Sequence, residues 1–277
     1  MSELPEIDQR RERMRKCCVA GKISEVEVLH ENPLQGTDRE ELQRQLANTH
    51  IVDVQRKGRN ILFFTDRGST LLLTQNEDAE VACQQAPVTE HPSHTEIVIH
   101  FDDGHTLDFV FPSLKDKFYF FKTDDIRMME PLQRLGPEPS EISFRDFHKR
   151  LETHSELTVH GALTNGEYVS GIGPAYADEI CFQAGIRPDR RLSSLLRADW
   201  ERIYDKMQSV IAEAERVKGN PESLERKAFL TPRRGTDRGC PKCEGPLSVL
   251  HFGPERSYFC PHCQDGHQAE RKRMKFW

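Results

Sequence analysis

No stretch of this chain approaches the roughly 20 consecutive apolar residues that cross a bilayer, which argues against a membrane-spanning protein. Near the start, Arg10, Arg11, Arg13, Arg15 and Lys16 interleave with acids where a secretory signal would carry its apolar core, so the expected compartment is the cytoplasm. No internal repeat is visible. Positive charge is also short: the formal net charge is −6, which weighs mildly against nonspecific nucleic-acid binding, because phosphate contact needs clustered Lys and Arg. That balance is uneven. Residues 226–277 hold 11 Lys and Arg against 5 Asp and Glu, a local +6 that leaves −12 on residues 1–225. Any anion-binding surface is therefore expected toward the C-terminal end.

What is present is enough chain for two domains: 277 residues, 36% hydrophobic and 30% charged, the balance of a soluble globular protein. Residues 5–20 contain no glycine, carry many charges and include Ile7, Met14, Cys17 and Cys18 before Gly21 stops the run, which predicts an amphipathic helix. Short β-rich segments follow at 23–29, 51–54, 60–65, 69–74, 95–101, 106–111 and 117–121. Asp66-Arg67-Gly68 and Asp102-Asp103-Gly104 read as hairpin turns. Closely spaced strands joined this way predict an antiparallel meander folded as a sandwich or open barrel.

Leu135-Gly136-Pro137-Glu138-Pro139 is a stiff, extended connection and the expected domain boundary. Beyond it, helices are predicted over 143–153, 157–165, 174–184 and 198–217, then an irregular segment over 218–238. The last residues are basic, tipped by Phe276 and Trp277, and read as a solvated tail that could touch phosphates. The fold class is thus α+β, divided as 1–130 (β-sandwich with N-terminal helix), 131–238 (helical), 239–266 (finger) and 267–277 (tail). Between the predicted helices, Gly171-Ile172-Gly173 is too costly in backbone entropy to sit mid-helix, Pro174 suits a first turn, Gly185 sits where a C-cap belongs and Pro188 forbids continuation. The segment 161–188 reads as a helix, two turns and a helix. Such turns can offer N–H groups to a phosphate, although these residues alone read first as a plain helical hairpin in a core.

Cys240-Pro-Lys-Cys243 and Cys260-Pro-His-Cys263 stand sixteen residues apart, a spacing that lets two knuckles deliver four thiolates to one Zn²⁺. Four thiolates leave no position for water, so such a zinc is structural. Cys17, Cys18, Cys83 and Cys181 show no ligand spacing and are expected as small core residues or free thiols. His262 and His267 read as bystanders.

The opening Met-Ser-Glu-Leu-Pro-Glu, a β-rich domain, the Leu135–Pro139 connection, Gly171-Ile172-Gly173 with Tyr176-Ala177-Asp178-Glu179 and Ala184-Gly185-Ile186-Arg187-Pro188, and a four-cysteine finger occur here in one order. Together they resemble the formamidopyrimidine-DNA glycosylase/endonuclease VIII family across essentially the whole chain. The resemblance implies a β-sandwich domain, a helix–two-turn–helix domain with a zinc β-hairpin, and double-stranded damaged or abasic DNA as the partner of a monomer. It also implies DNA N-glycosylase and AP lyase chemistry. A neutral N-terminal amine, with a pKa near 8, attacks C1′ of an extruded nucleotide and forms a Schiff base beside a carboxylate acid/base.

In that frame Ser2 stands where the family has its nucleophilic proline and would react through its nitrogen, Glu3 takes the catalytic acid's place, and Glu6 matches a further acid. From the residues alone, Ser2-Glu3 reads as an ordinary helix N-cap with a favourable nearby acid. Arg59 takes the place of the family's lysine, with Lys57 beside it, and an arginine keeps a phosphate contact but stays protonated. Thr74-Gln75-Asn76-Glu77-Asp78-Ala79 replaces one intercalating segment with acids. Phe111-Pro112-Ser113-Leu114-Lys115 replaces another, where Leu114 could wedge into a base stack but core or surface packing is expected. Pro174 replaces a phosphate-binding asparagine. On the finger, Arg256 lies one residue late, which a hairpin shorter by one residue would restore. The expected DNA contacts are Lys57, Arg59 and Arg256. Two functions stay open at this point: a DNA repair glycosylase working through Ser2 and Glu3, and a catalytically impaired relative that binds DNA or regulates.

Overall fold

The structure is a computed structural model, describing residues 3–75, 79–220, 223–225 and 228–264. The chain divides into two compact units, Met1–Arg134 and Leu135–Trp277. Among the described residues no helix is long and apolar enough to cross a membrane.

In the first unit, helix α1 (Leu4–Cys18) starts with Pro5 and Glu6 in its first turn and ends with Arg15 and Lys16 in its last, charges that complement its dipole. It buries Leu4, Ile7, Met14 and Cys18. Among the described residues of this unit, nine strands form two sheets. One sheet runs in the order β1 (Ile23–Val28), β7 (Thr95–Phe101), β8 (Thr106–Val110), β6 (Glu80–Gln84). The other runs β2 (Leu34–Gln35), β9 (Phe118–Lys122), β5 (Ser69–Leu73), β4 (Asn60–Thr65), β3 (Ile51–Lys57). Among the described strands the pairings are antiparallel except the short β2–β9 pair.

The two sheets close on one apolar core. Phe109 of β8 meets Phe63 of β4 and Phe118 of β9 edge-on, with ring centroids 5.6 and 4.8 Å apart, and all three side chains are fully buried. The expected sandwich is present, with elements the sequence reading lacked. Helix α2 (Arg39–Leu46) is capped by Asp38, whose carboxylate accepts the Glu41 N–H at 2.8 Å, and it buries only Leu42 and Leu46. Two apolar anchors in eight residues leave a weak periodic signal. Strand β6 has just one buried residue, Val81, and leaves the same weak signal.

One expectation is corrected here. Cys17 and Cys83 are not free thiols: they form a disulfide that ties the end of α1 to β6. Partners 66 residues apart share no local pattern, so only the docking of helix on sheet brings them together. Cys18 and Cys181 are buried free thiols, as expected.

In the second unit, α4 (Phe144–Leu151) and α5 (Val159–Thr164), which follow the short α3 (Glu130–Gln133), are capped by Ser143 and Thr158 through their hydroxyls. Next come α6 (Pro174–Ala184), the long α7 (Arg197–Arg216) and the hairpin β10 (Ser248–Phe252) with β11 (Glu255–Phe259). The turn between α5 and α6 uses Gly171 at φ 92°, and Gly185 closes α6 at φ 68°, both in the left-handed region that a side chain disfavours. Helix α6 is buried on almost all sides: Tyr176, Ala177, Asp178, Glu179, Ile180, Cys181, Phe182 and Ala184 are shielded from solvent. It packs on α5, α7 and β11. A helix so enclosed can hold carboxylates only if partners converge on them.

Candidate nucleic-acid interface and metal centre

The four finger cysteines converge. Sγ of Cys240 lies 3.7 Å from Sγ of Cys263, Sγ of Cys243 lies 3.5 Å from Sγ of Cys260, and all four sulfurs fall within 4.8 Å of one another. A tetrahedral ion with bonds of about 2.3 Å sets its ligands about 3.8 Å apart, so the cluster has the size of a four-thiolate metal site. The knuckles help themselves locally. Lys242 N–H points at Cys240 Sγ and Cys263 N–H at Cys260 Sγ, each at 3.4 Å, while a hydrogen bond from the Gly245 N–H holds the Cys243 thiol below its ordinary pKa. Gln264, at the end of the finger, is fully buried, accepts from Cys260 N–H at 2.7 Å and donates to Ile186 O at 2.9 Å. Residues 265–277, with the expected tail, lie outside the described residues.

The hairpin above this cluster turns in two residues, Gly253 and Pro254, between paired Phe252 and Glu255. Arg256, on β11, is exposed. Beneath it lies a group the sequence reading named only as part of a motif. Asp178, fully buried on α6, accepts from Arg234 Nε at 2.9 Å, from Tyr258 N–H at 2.7 Å and from Ser257 Oγ. Burial pushes its carboxyl up to about 6, against the pull of Arg234, Ser257 and the Tyr258 N–H. His160, 1% exposed and stacked on Phe252, has its pKa lowered to about 4 by burial and by Arg234. Glu179 accepts from Thr231 N–H at 2.7 Å, Thr231 Oγ1 at 2.8 Å and Gln183 Nε2 at 2.7 Å, which fastens the irregular segment before the finger to α6. The available signal was two adjacent acids in an otherwise apolar helix, a pattern that demands partners without saying which.

In the first unit, Glu3 opens α1 with only 3% exposure. Its N–H donates to Glu6 Oε2 at 3.0 Å, and its carbonyl accepts the Ile7 N–H at 3.0 Å. Ser2 lies outside the described residues. Lys57, exposed, ends β3, and half-buried Arg59 sits in the two-residue turn to β4. That turn is held against α1: Arg56 donates to Gly58 O at 3.1 Å and pairs with Asp8 at 3.4 Å, five residues on from Glu3.

The segment ending at Ala79 meets the residue that follows the 111–115 segment. Buried Asp116 accepts the Ala79 N–H at 3.0 Å, and Arg10 of α1 donates to Ala79 O at 3.3 Å and pairs with Glu80 at 3.2 Å. Asn76, Glu77 and Asp78 lie outside the described residues. Leu114 takes surface rather than core packing, 76% exposed midway along the loop between β8 and β9. Pro174 opens α6 at its first turn, where it has neither a side-chain donor nor an N–H to offer.

Residues 1–112 match the family described as the formamidopyrimidine-DNA glycosylase N-terminal domain, and residues 135–225 match the formamidopyrimidine-DNA glycosylase H2TH domain. The formamidopyrimidine-DNA glycosylase of Geobacter metallireducens is 31% identical over 272 residues, covering 95% of this chain and 100% of the relative. That of an Exiguobacterium species is 28% identical over 277 residues, covering 95% and 99%. Among solved structures, the Lactococcus lactis enzyme bound non-covalently to DNA containing an AP site has the same fold, with a TM-score of 0.85 at 20% identity, covering 95% of this chain and 99% of that one.

Proposed function

The chain belongs to the formamidopyrimidine-DNA glycosylase family, and from that premise we propose that it excises damaged bases from double-stranded DNA and cleaves the abasic site, as an N-glycosylase with AP lyase activity. The observation that carries the reading is Glu3, a carboxylate kept 3% exposed at the head of α1, next in sequence to the amine that would react. Removal of Met1 leaves Ser2 as the terminus, with an amine of pKa near 8 that is partly neutral at physiological pH.

The amine's lone pair attacks C1′ as the glycosidic bond breaks, the nitrogen then gives up one of its protons, and the base departs with that bond's electrons and gains a proton. Glu3 protonates O4′ while the sugar ring opens, leaving an iminium between Ser2 N and C1′. Loss of a C2′ proton then expels the 3′ phosphate, and water hydrolyses the imine to restore the amine. The Ser2 hydroxyl takes no part.

Arg59 and Lys57 in the first unit and Arg256 in the second hold backbone phosphates. Arg59 stays protonated, so it stabilises charge without shuttling a proton. Cys240, Cys243, Cys260 and Cys263 would hold one Zn²⁺ in a structural role, since four thiolates leave no ligand position for a reacting water. The test is borohydride trapping on abasic-site DNA, using protein shown by mass spectrometry to begin at Ser2. A covalent adduct is expected, weakened in Glu3→Gln and abolished when the amine is blocked. No adduct from a free Ser2 terminus would refute the reading.

A further inference from the structure

Arg256 is exposed, but the backbone around it is held from below by buried polar groups. Its carbonyl oxygen accepts from Arg234 Nη2 at 3.0 Å. The next residue, Ser257, donates its hydroxyl to Asp178, and the Tyr258 N–H donates to Asp178 Oδ2 at 2.7 Å. Arg234 is itself fixed by Asp178 at 2.9 Å and lies over the Tyr258 ring, 5.1 Å from its centroid. Three successive residues of β11 are thereby referenced, directly or through Arg234, to one carboxylate on α6. A two-stranded hairpin is only marginally stable by itself, so such an anchor decides where its side chains stand.

Resting on the reading of Arg256 as a phosphate ligand, we propose that Asp178 is the positioning residue for Arg256: it sets the register of β11 against α6, so that the guanidinium meets a DNA phosphate at a fixed place. Asp178 touches neither DNA nor the reacting atoms. The sign of its effect separates this role from bulk electrostatics. Removing a negative charge from a DNA-binding surface should tighten binding, whereas releasing the hairpin should loosen it.

The test is the salt dependence of binding to an abasic-site duplex, measured on the full-length, zinc-loaded protein. Arg256→Gln should flatten the slope of log K against log salt by about 0.9 and weaken binding ~8-fold at 0.1 M salt, the share of one phosphate contact. Asp178→Asn should weaken binding and flatten the slope in the same direction, and the double variant should bind no worse than Arg256→Gln alone. Ser257→Ala keeps every charge, removes one tether and should give a smaller loss of the same sign. Asp178→Asn binding as tightly as the parent or tighter would overturn the proposal, as would a loss that adds in full to that of Arg256→Gln. Should Asp178→Asn fail to fold or to keep its metal, an unchanged affinity and slope in Ser257→Ala overturns it. If Arg256→Gln itself changes nothing, the phosphate assignment falls and this proposal falls with it.

Discussion

Replacing Cys83 by serine removes the covalent link between α1 and β6 while leaving the rest of that contact in place. Arg10 still reaches Ala79 O and Glu80, and Met14 and Cys18 stay in the core, so the folded first unit should keep its structure. The cost then arises in the unfolded chain, which regains the freedom of a 66-residue loop. By the chain-entropy argument a loop of that size is worth about 4 kcal/mol at 25 °C, at the upper end of typical disulfides. With a urea m-value of about 2 kcal/mol/M, the midpoint of the first unit should fall by roughly 2 M.

Cys18 offers no alternative partner. It is fully buried, its Sγ donates to Met14 O at 3.0 Å, and burial pushes its thiol pKa up to about 12. The assay is urea unfolding followed by far-UV circular dichroism, with tryptophan emission as an internal control. Both tryptophans, Trp200 and Trp277, belong to the second unit, whose transition should not move. Equal first-unit midpoints for parent and Cys83→Ser, with alkylation and mass spectrometry showing the parent disulfide intact, would refute the loop-entropy reasoning. Alkylation of both cysteines in the unreduced parent would refute the disulfide itself.

Two further outcomes follow from the second unit. His160 has a folded pKa of about 4 against 6.5 unfolded, so the stability it contributes is complete above pH 6.5 and is lost as pH falls toward 4. Asp178, raised from 3.8 to about 6, works in the opposite sense: its contribution is complete below 3.8 and is lost as pH rises through 6. Between pH 7 and 5 the two oppose each other, His160 losing stability and Asp178 returning part of it, and they titrate as a pair because His160 Nε2 lies 3.8 Å from Asp178 Oδ1. In His160→Phe, which preserves the stack on Phe252, unfolding free energy relative to the parent should improve on acidification, and an identical pH profile would count against the buried neutral imidazole. Elemental analysis should find one zinc per chain, and a strong chelator should unfold the finger with a large loss of stability, since structural zinc contributes on the order of 10 kcal/mol. Full retention of DNA binding and of the thermal transition in metal-free protein would rule out a structural metal.

What the sequence determined by itself is what short range can encode. The paired Cys-x-x-Cys knuckles are each a local turn, so their spacing announced a four-sulfur site. Gly171, Pro174 and Gly185 constrain backbone dihedrals wherever they stand, and they placed α6 at its observed ends. Short β-rich runs separated by Asp-x-Gly turns announced hairpins for the same reason. The likeness of the whole chain to its family then rests on the order of these local signals.

The tertiary structure alone decided which distant residues meet. It joined Cys17 to Cys83, gave β2 a parallel neighbour in β9, and set Asp178 against Arg234 and Ser257, respectively 56 and 79 residues away along the chain. A sequence shows that a carboxylate in an apolar helix must find partners, because burying it bare is too costly. Which partners it finds depends on how helices and sheets pack, and packing is a property of the whole chain at once.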